Sequence, residues 1–249
     1  MKANTYDLNT RPRLTPASED GLMNARFDLV SLFLAESQFQ DLREYMSLAQ
    51  DFVIRKQLDF HKRVDDHIAV NGLEGEDRDE YYSSHEDDYD QLHGRFPRIV
   101  FSSTLFMACS LFESSLVDLC KRFEQALPKS TQWSYGKDTG ITRAASFLEE
   151  NYGIRLPNYS HWSRVKNYFK FRDCIVHADG DVSNMRKNDA DYIKRTVELY
   201  KSLGLSMPNR HLVIGHEFVS AVIDDLGGIW PLLEAACIQN EIVGPHYWP

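Results

Sequence analysis

The chain has 249 residues, of which 43% are hydrophobic and 26% charged, and its formal net charge is −9. These are ordinary values for a globular protein with enough length to bury one large core, and a protein this acidic overall does not advertise a polyanion as its partner. No run approaches ~18 uninterrupted apolar residues, and the first residues, Met-Lys-Ala-Asn-Thr-Tyr-Asp, lack a leader's apolar stretch, so neither a membrane span nor secretion is expected, and the compartment is read as cytoplasmic.

In chain order the pattern is helical almost throughout. From Leu22 to about Ile68 apolar residues recur at three- and four-residue spacing, with no glycine or proline before Gly72. A straight helix of that span is ~70 Å long, so a bend or break is expected. Residues 74–90 carry nine acidic residues and one arginine, which reads as a solvated loop, or less simply as a polyanion mimic. Without that tract the other 232 residues sum to −1, and His161 to Arg195 is locally +3, so the global charge neither supports nor excludes RNA.

A second helix follows Pro97, with its stripe from Phe101 to Leu127, and ends at Pro128. Shorter helices are predicted at about 141–151, 160–178 and 189–203, and a last one from Gly215 to Ile238 that Gly227-Gly228 and Pro231 should kink. Leu212-Val213-Ile214 is the best strand candidate, and no internal repeat is visible. Cys109, Cys120, Cys174 and Cys237 are far apart, lie in apolar helical patterns and form no Cys-x-x-Cys pair, which reads as buried reduced thiols. The fold class is all-α. The expected organisation is an N-terminal segment 1–97 (long helix plus acidic loop, packed on or extending the rest) and a helical bundle over 98–249.

The most informative stretch is Phe171-Arg-Asp-Cys-Ile-Val-His-Ala-Asp-Gly180. Arg172 is a permanent cation suited to a phosphate, and His177 can take and give a proton near neutrality. The spacing alone is unspecific, since an arginine and a following histidine with four to six residues between them occur five times here: Arg55/His61, Arg78/His85, Arg155/His161, Arg172/His177 and Arg210/His216. Context separates them. Only Arg172/His177 brackets an apolar turn, follows a tryptophan (Trp162) by ten residues, and runs into a glycine stop.

Those residues, together with Ile141-Thr-Arg-Ala-Ala-Ser-Phe-Leu-Glu-Glu-Asn-Tyr-Gly-Ile154 and His161-Trp-Ser-Arg-Val165, resemble the second half of a HEPN domain over roughly residues 98–240. The resemblance implies a helical bundle with an additional long N-terminal helix. It also implies a metal-independent endoribonuclease of toxin–antitoxin or phage-defence type, a homodimer with both motifs in one cleft, and a possible antitoxin or defence partner protein. In the family's pattern Arg172 and His177 are the motif pair, Asp173 fills a position more often held by Asn, and Glu113 is the acidic residue of an earlier helix facing the pair.

The geometry of one helix adds a condition. Asp173 and His177 lie one turn apart and share a face, so Asp173 can orient the imidazole. Arg172 and His177 stand about 140° apart around the helix, so a second copy is needed for their side chains to converge. The expected reaction is attack of an RNA 2′-hydroxyl on its own phosphate, His177 serving as general base and acid and Arg172 holding the phosphoryl oxygens. Asn167, Tyr168 and Lys170, about a turn before Arg172, are the candidate substrate-binding residues, and Trp162 reads as a helix anchor. No metal or other cofactor is expected: His216-Glu217 is not followed by a second histidine at zincin spacing, and no glycine-rich phosphate loop occurs. The alternative is a non-catalytic dimeric interaction or nucleotide-binding module, since a carboxylate beside Arg172 weakens its field. Dipole and ion-pair stabilisation of a helix end would account for the pair without any chemistry.

Overall fold

The 50 residues from Leu22 to Asn71 contain no helix breaker, and they form one uninterrupted helix. The computed structural model describes residues 19–125 and 140–240, with side chains from residue 30 onward. Along these residues run α1 (Glu19–Asn71), α2 (Gly75–Ser84), α3 (Glu86–Asp90), α4 (Phe96–Gln125), α5 (Gly140–Tyr152), α6 (Trp162–Ala178), α7 (Lys187–Val197), α8 (His216–Gly227) and α9 (Ile229–Gln239). The architecture is an all-α bundle. Its only β pairing among the described residues is two isolated antiparallel bridges, Asp181 with His211 and Ser206 with Val213, so the strand expected at 212–214 shrinks to a bridge at Val213.

The expected break in α1 is absent because its two halves bury stripes against different partners. Leu32, Ala35, Phe39, Leu42 and Met46 join the bundle core, against α4, α8 and α9. Farther on, Val53, Phe60 and Val64 are buried outside that core, in an arm built with the segment that returns along α1. Gly72, at φ +60°, reverses the chain, and Leu73 N–H closes the helix end on the Ile68 carbonyl at 3.1 Å.

The acidic tract is not a loop. It forms α2 and α3, with its carboxylates in solvent, because Tyr81, His85, Tyr89 and His93 recur every fourth residue and present one aromatic edge to α1. Tyr81 stacks on His67 at 4.3 Å, and the Tyr89 ring lies 6.4 Å from Phe60 and 6.0 Å from His61. A π-turn over Gln91–Arg95 then joins α3 to α4, widening the helix just where the ring of Pro97 would otherwise press on the carbonyl four residues back.

α4 forms the centre of the bundle, burying Phe101, Leu105, Ala108, Phe112, Leu116, Leu119 and Phe123. The stretch 86–125 is, among the described residues, the one helix long and apolar enough by length and composition to cross a membrane; its apolar stripe faces this core. Residues 126–139, where the end of this helix was expected, lie outside the described residues. Tyr168 and Phe171 of α6, Tyr200, and Phe218 of α8 meet edge to face or tilted, with ring centroids 5.4–5.8 Å apart. The predicted last helix is two helices that meet at Gly228, and Gly227 at the end of α8 lies against α1, where a Cβ would come within 3.2 Å of the Phe39 Cβ. Pro231 falls in the first turn of α9, where its missing N–H has no helical partner to lose, so it kinks nothing. All four cysteines are buried free thiols.

Candidate functional site

α6 carries every candidate residue except Glu113. It opens with Trp162 buried, as an anchor rather than a platform, and runs without distortion to Ala178. The expected glycine stop is shared. Asp179 enters the left-handed region first (φ 50°) and Gly180 follows (φ 76°), its N–H bonding the Cys174 carbonyl at 3.1 Å. Arg98 of α4 secures this end, donating to the Asp179 carbonyl at 2.8 Å and to its carboxylate at 3.2 Å. The next residue, Asp181, accepts from the Ser183 hydroxyl and N–H, which hold its carboxyl below the usual range.

Arg172 and Glu113 do meet. The Arg172 side chain, 20% exposed, turns toward α4 and places Nη2 3.4 Å from Glu113 Oε2, while its Nε lies 3.3 Å from Asp173 Oδ1. The second contact is an ion pair without hydrogen-bond geometry, which leaves the buried Nε proton unmatched. The guanidinium also covers the Phe169 ring, 5.1 Å from its centroid. Glu113 is pinned from the far side by α5. Gly140 starts that helix at φ +61°, and any Cβ there would overlap the Glu113 carboxylate, so only glycine lets the positive end of α5 approach it. Beneath them burial pushes the Cys109 thiol up to about 12, against the opposing pull of Arg172.

His177 is not part of this cluster. It is exposed on the last turn of α6 and makes no hydrogen bond or ion pair with any described residue. The expected Asp173–His177 hydrogen bond is absent, because Asp173 is drawn toward Arg172 instead. The 140° separation read from helix geometry therefore persists: Arg172 faces the bundle, and His177 faces solvent along the same side of α6 as Lys166 and Lys170.

The three candidate substrate-binding residues are all engaged within the chain. Lys170 pairs with Asp189 at 2.8 Å, which lowers that carboxyl's pKa. Asn167 donates to the Tyr200 hydroxyl at 2.9 Å and accepts from the Tyr192 hydroxyl. Tyr168 is a core residue, 1% exposed, whose hydroxyl donates to Asp225 and whose pKa is raised by burial and by that bond.

Asp225 is the polar centre that the sequence did not reveal. It is buried on α8 among Val222, Ile223 and Leu226, yet it takes up Tyr168, Arg164 and His161 of α6 and its cap. Arg164 Nη2 donates to Oδ1 at 2.6 Å, with Nε a further 2.6 Å ion contact on Oδ2, and His161 Nδ1 lies 2.8 Å from Oδ1. Arg164 Nη2 is also 2.6 Å from His161 Nδ1, so that nitrogen either donates to Asp225 or accepts from Arg164, according to its tautomer. The one available signal was a carboxylate at an inward position of an apolar helix. Arg164, Asn167 and Asp225 line a groove of about 500 Å³, but each of these three groups is already paired within the protein.

No three histidine, cysteine, aspartate or glutamate side chains converge as a metal cluster among the described residues. No family model, curated protein or solved structure matches the chain.

Proposed function

We propose that this protein is a metal-independent endoribonuclease of HEPN type, a toxin or phage-defence effector, acting as a homodimer with a composite site. The observation that carries the reading is the contrast within one rigid helix. Arg172 is aimed and held by Glu113, while His177, just over a turn away, is exposed and free of partners among the described residues. A structural histidine has no need to be free, whereas a general acid–base group does. In the proposed reaction an RNA 2′-oxygen loses its proton to one imidazole and bonds to phosphorus. The P–O5′ bond breaks, the leaving oxygen takes a proton, and a 2′,3′-cyclic phosphate and a 5′-hydroxyl remain. Arg172 from the facing protomer stabilises the phosphoryl oxygens, its long 3.4 Å contact to Glu113 loosening in favour of the phosphate. Lys166, exposed about three turns before His177 on the same side of α6, adds positive charge to that face, whereas the charge of Lys170 is met by Asp189.

A second reading rests on a specific observation: Arg172 already faces two carboxylates, Glu113 and Asp173, which fits a non-catalytic dimeric interaction module. Cleavage of labelled RNA in the presence of EDTA separates the two. The nuclease reading expects cutting by wild type, cyclic-phosphate ends, and loss of activity in both Arg172→Ala and His177→Ala. Wild type that never cuts, or variants that cut equally well, leaves the interaction module.

A further inference from the structure

We propose that His61 and His93 form an open site for a borderline divalent transition ion, Zn²⁺ or Cu²⁺, that fastens the acidic arm to α1. The two imidazoles come from different elements, the second half of α1 and the π-turn before α4, and their Nε2 atoms stand 3.1 Å apart. Two nitrogens at that separation, each about 2.05 Å from a common ion, subtend an angle of about 100°, between the square-planar and tetrahedral values these ions adopt. The pair thus has the spacing of two cis ligands before any ion arrives.

The His93 ring is also held as a ligand is held. His93 Nδ1 is 3.0 Å from the Tyr89 carbonyl, an acceptor that can only receive a proton, so Nδ1 carries the hydrogen and Nε2 presents its lone pair. Tyr89 stacks on the His93 ring at 4.0 Å and 15°, fixing its plane, and meets His61 edge-on at 6.0 Å. The π-turn that carries His93 is itself fastened to α1 by Gln57, which donates to the Leu92 carbonyl at 3.1 Å. Widened turns of this kind recur at functional sites. His61 keeps its proton on Nε2 in the metal-free protein and donates it to His93; an ion replaces that proton, moving the His61 hydrogen to Nδ1. Water fills the remaining positions.

The ion has a physical consequence here. Residues 74–90 carry a formal charge of −8, and α2 and α3 bury no side chain, so the arm is fastened mainly by its aromatic ladder. A cross-link between residues 61 and 93 adds to that ladder and offsets part of the self-repulsion.

Titration of the full-length chain with Zn²⁺ alone, followed by calorimetry, and a Cu²⁺ electron-paramagnetic-resonance spectrum test this. One ion per chain is expected, with a two-nitrogen coordination signature, affinity at least about tenfold weaker in His61→Ala and in His93→Ala, and no change in His67→Ala, whose imidazole stacks on Tyr81. Equal binding by the double variant would assign the ion to the carboxylates of α2 and α3 and overturn the site. An oxygen-only copper spectrum does so even if the variants fail to fold. Wild type that binds no ion at 100 µM reduces the pair to a simple hydrogen bond and also overturns it.

Discussion

If the nuclease site is shared between two protomers, two inactive variants must repair one another. In Arg172→Ala the imidazole is intact, and in His177→Ala the guanidinium is intact. Within one chain the two side chains leave α6 about 140° apart, and the five-residue separation adds ~7.5 Å along the axis, too far apart to hold one phosphate between them. In a closed two-fold dimer each site takes Arg172 from one protomer and His177 from the other. A mixed dimer of the two variants therefore contains one intact site and one with both residues missing. Random pairing of equal amounts makes about half of the dimers mixed, so about a quarter of wild-type activity should return, from two preparations that are each inactive. Co-expression or refolding from a denatured mixture ensures exchange, and cyclic-phosphate release from a fluorogenic RNA gives the readout. Recovery no greater than the sum of the two backgrounds, with mixed dimers verified by mass, would falsify the composite site.

Other outcomes follow from contacts elsewhere in the bundle. Asp225→Ala orphans a buried tyrosine hydroxyl and releases Arg164, whose 43% exposed side chain lets water recover much of its charge; a loss of about 3 kcal/mol is expected, against at most half of that for Asp225→Asn, which keeps an acceptor. Differential scanning calorimetry should read it as a drop of roughly 6–12 °C in Tm, and a shift under 2 °C would mean that the network contributes little. Gly140→Ala forces a left-handed alanine onto Glu113 and should cost about 1–2 kcal/mol in urea unfolding, whereas the same exchange at Gly94, which has open space and no positive φ, should cost less than half of that. Burial raises the Cys109 thiol from its ordinary value of 9.0 to about 12 and Cys174 to about 11. Their neutral forms are kept by the fold while the unfolded chain ionises above pH 9, so stability is intact below pH 9 and falls as pH rises toward 12; a urea midpoint flat across that range would contradict it.

What the helical periodicity could disclose, it did: each amphipathic stripe from Leu32 to Cys237 marks a surface that has to be buried, and local spacing alone determines that the chain is an all-α bundle. The same arithmetic placed Arg172 and His177 on different faces, because a regular helix fixes angles between neighbours whatever surrounds it. The acidic tract misled because charge density is visible in sequence, whereas the value of an i, i+4 aromatic ladder depends on α1 lying opposite to receive it. Three-dimensional contact likewise decided which candidates could act. Glu113 lies 59 residues from Arg172 and Asp225 lies 57 from Tyr168, separations over which no sequence period operates. Only packing of α4 against one side of α6, and of α7 and α8 against others, turned Arg172 inward to a carboxylate, committed Asn167, Tyr168 and Lys170 to internal bonds, and left His177 in the open. Side-chain chemistry is written residue by residue, but whether a charged group is spent inside the protein or available to a ligand is a property of its neighbours, and those are chosen by the fold.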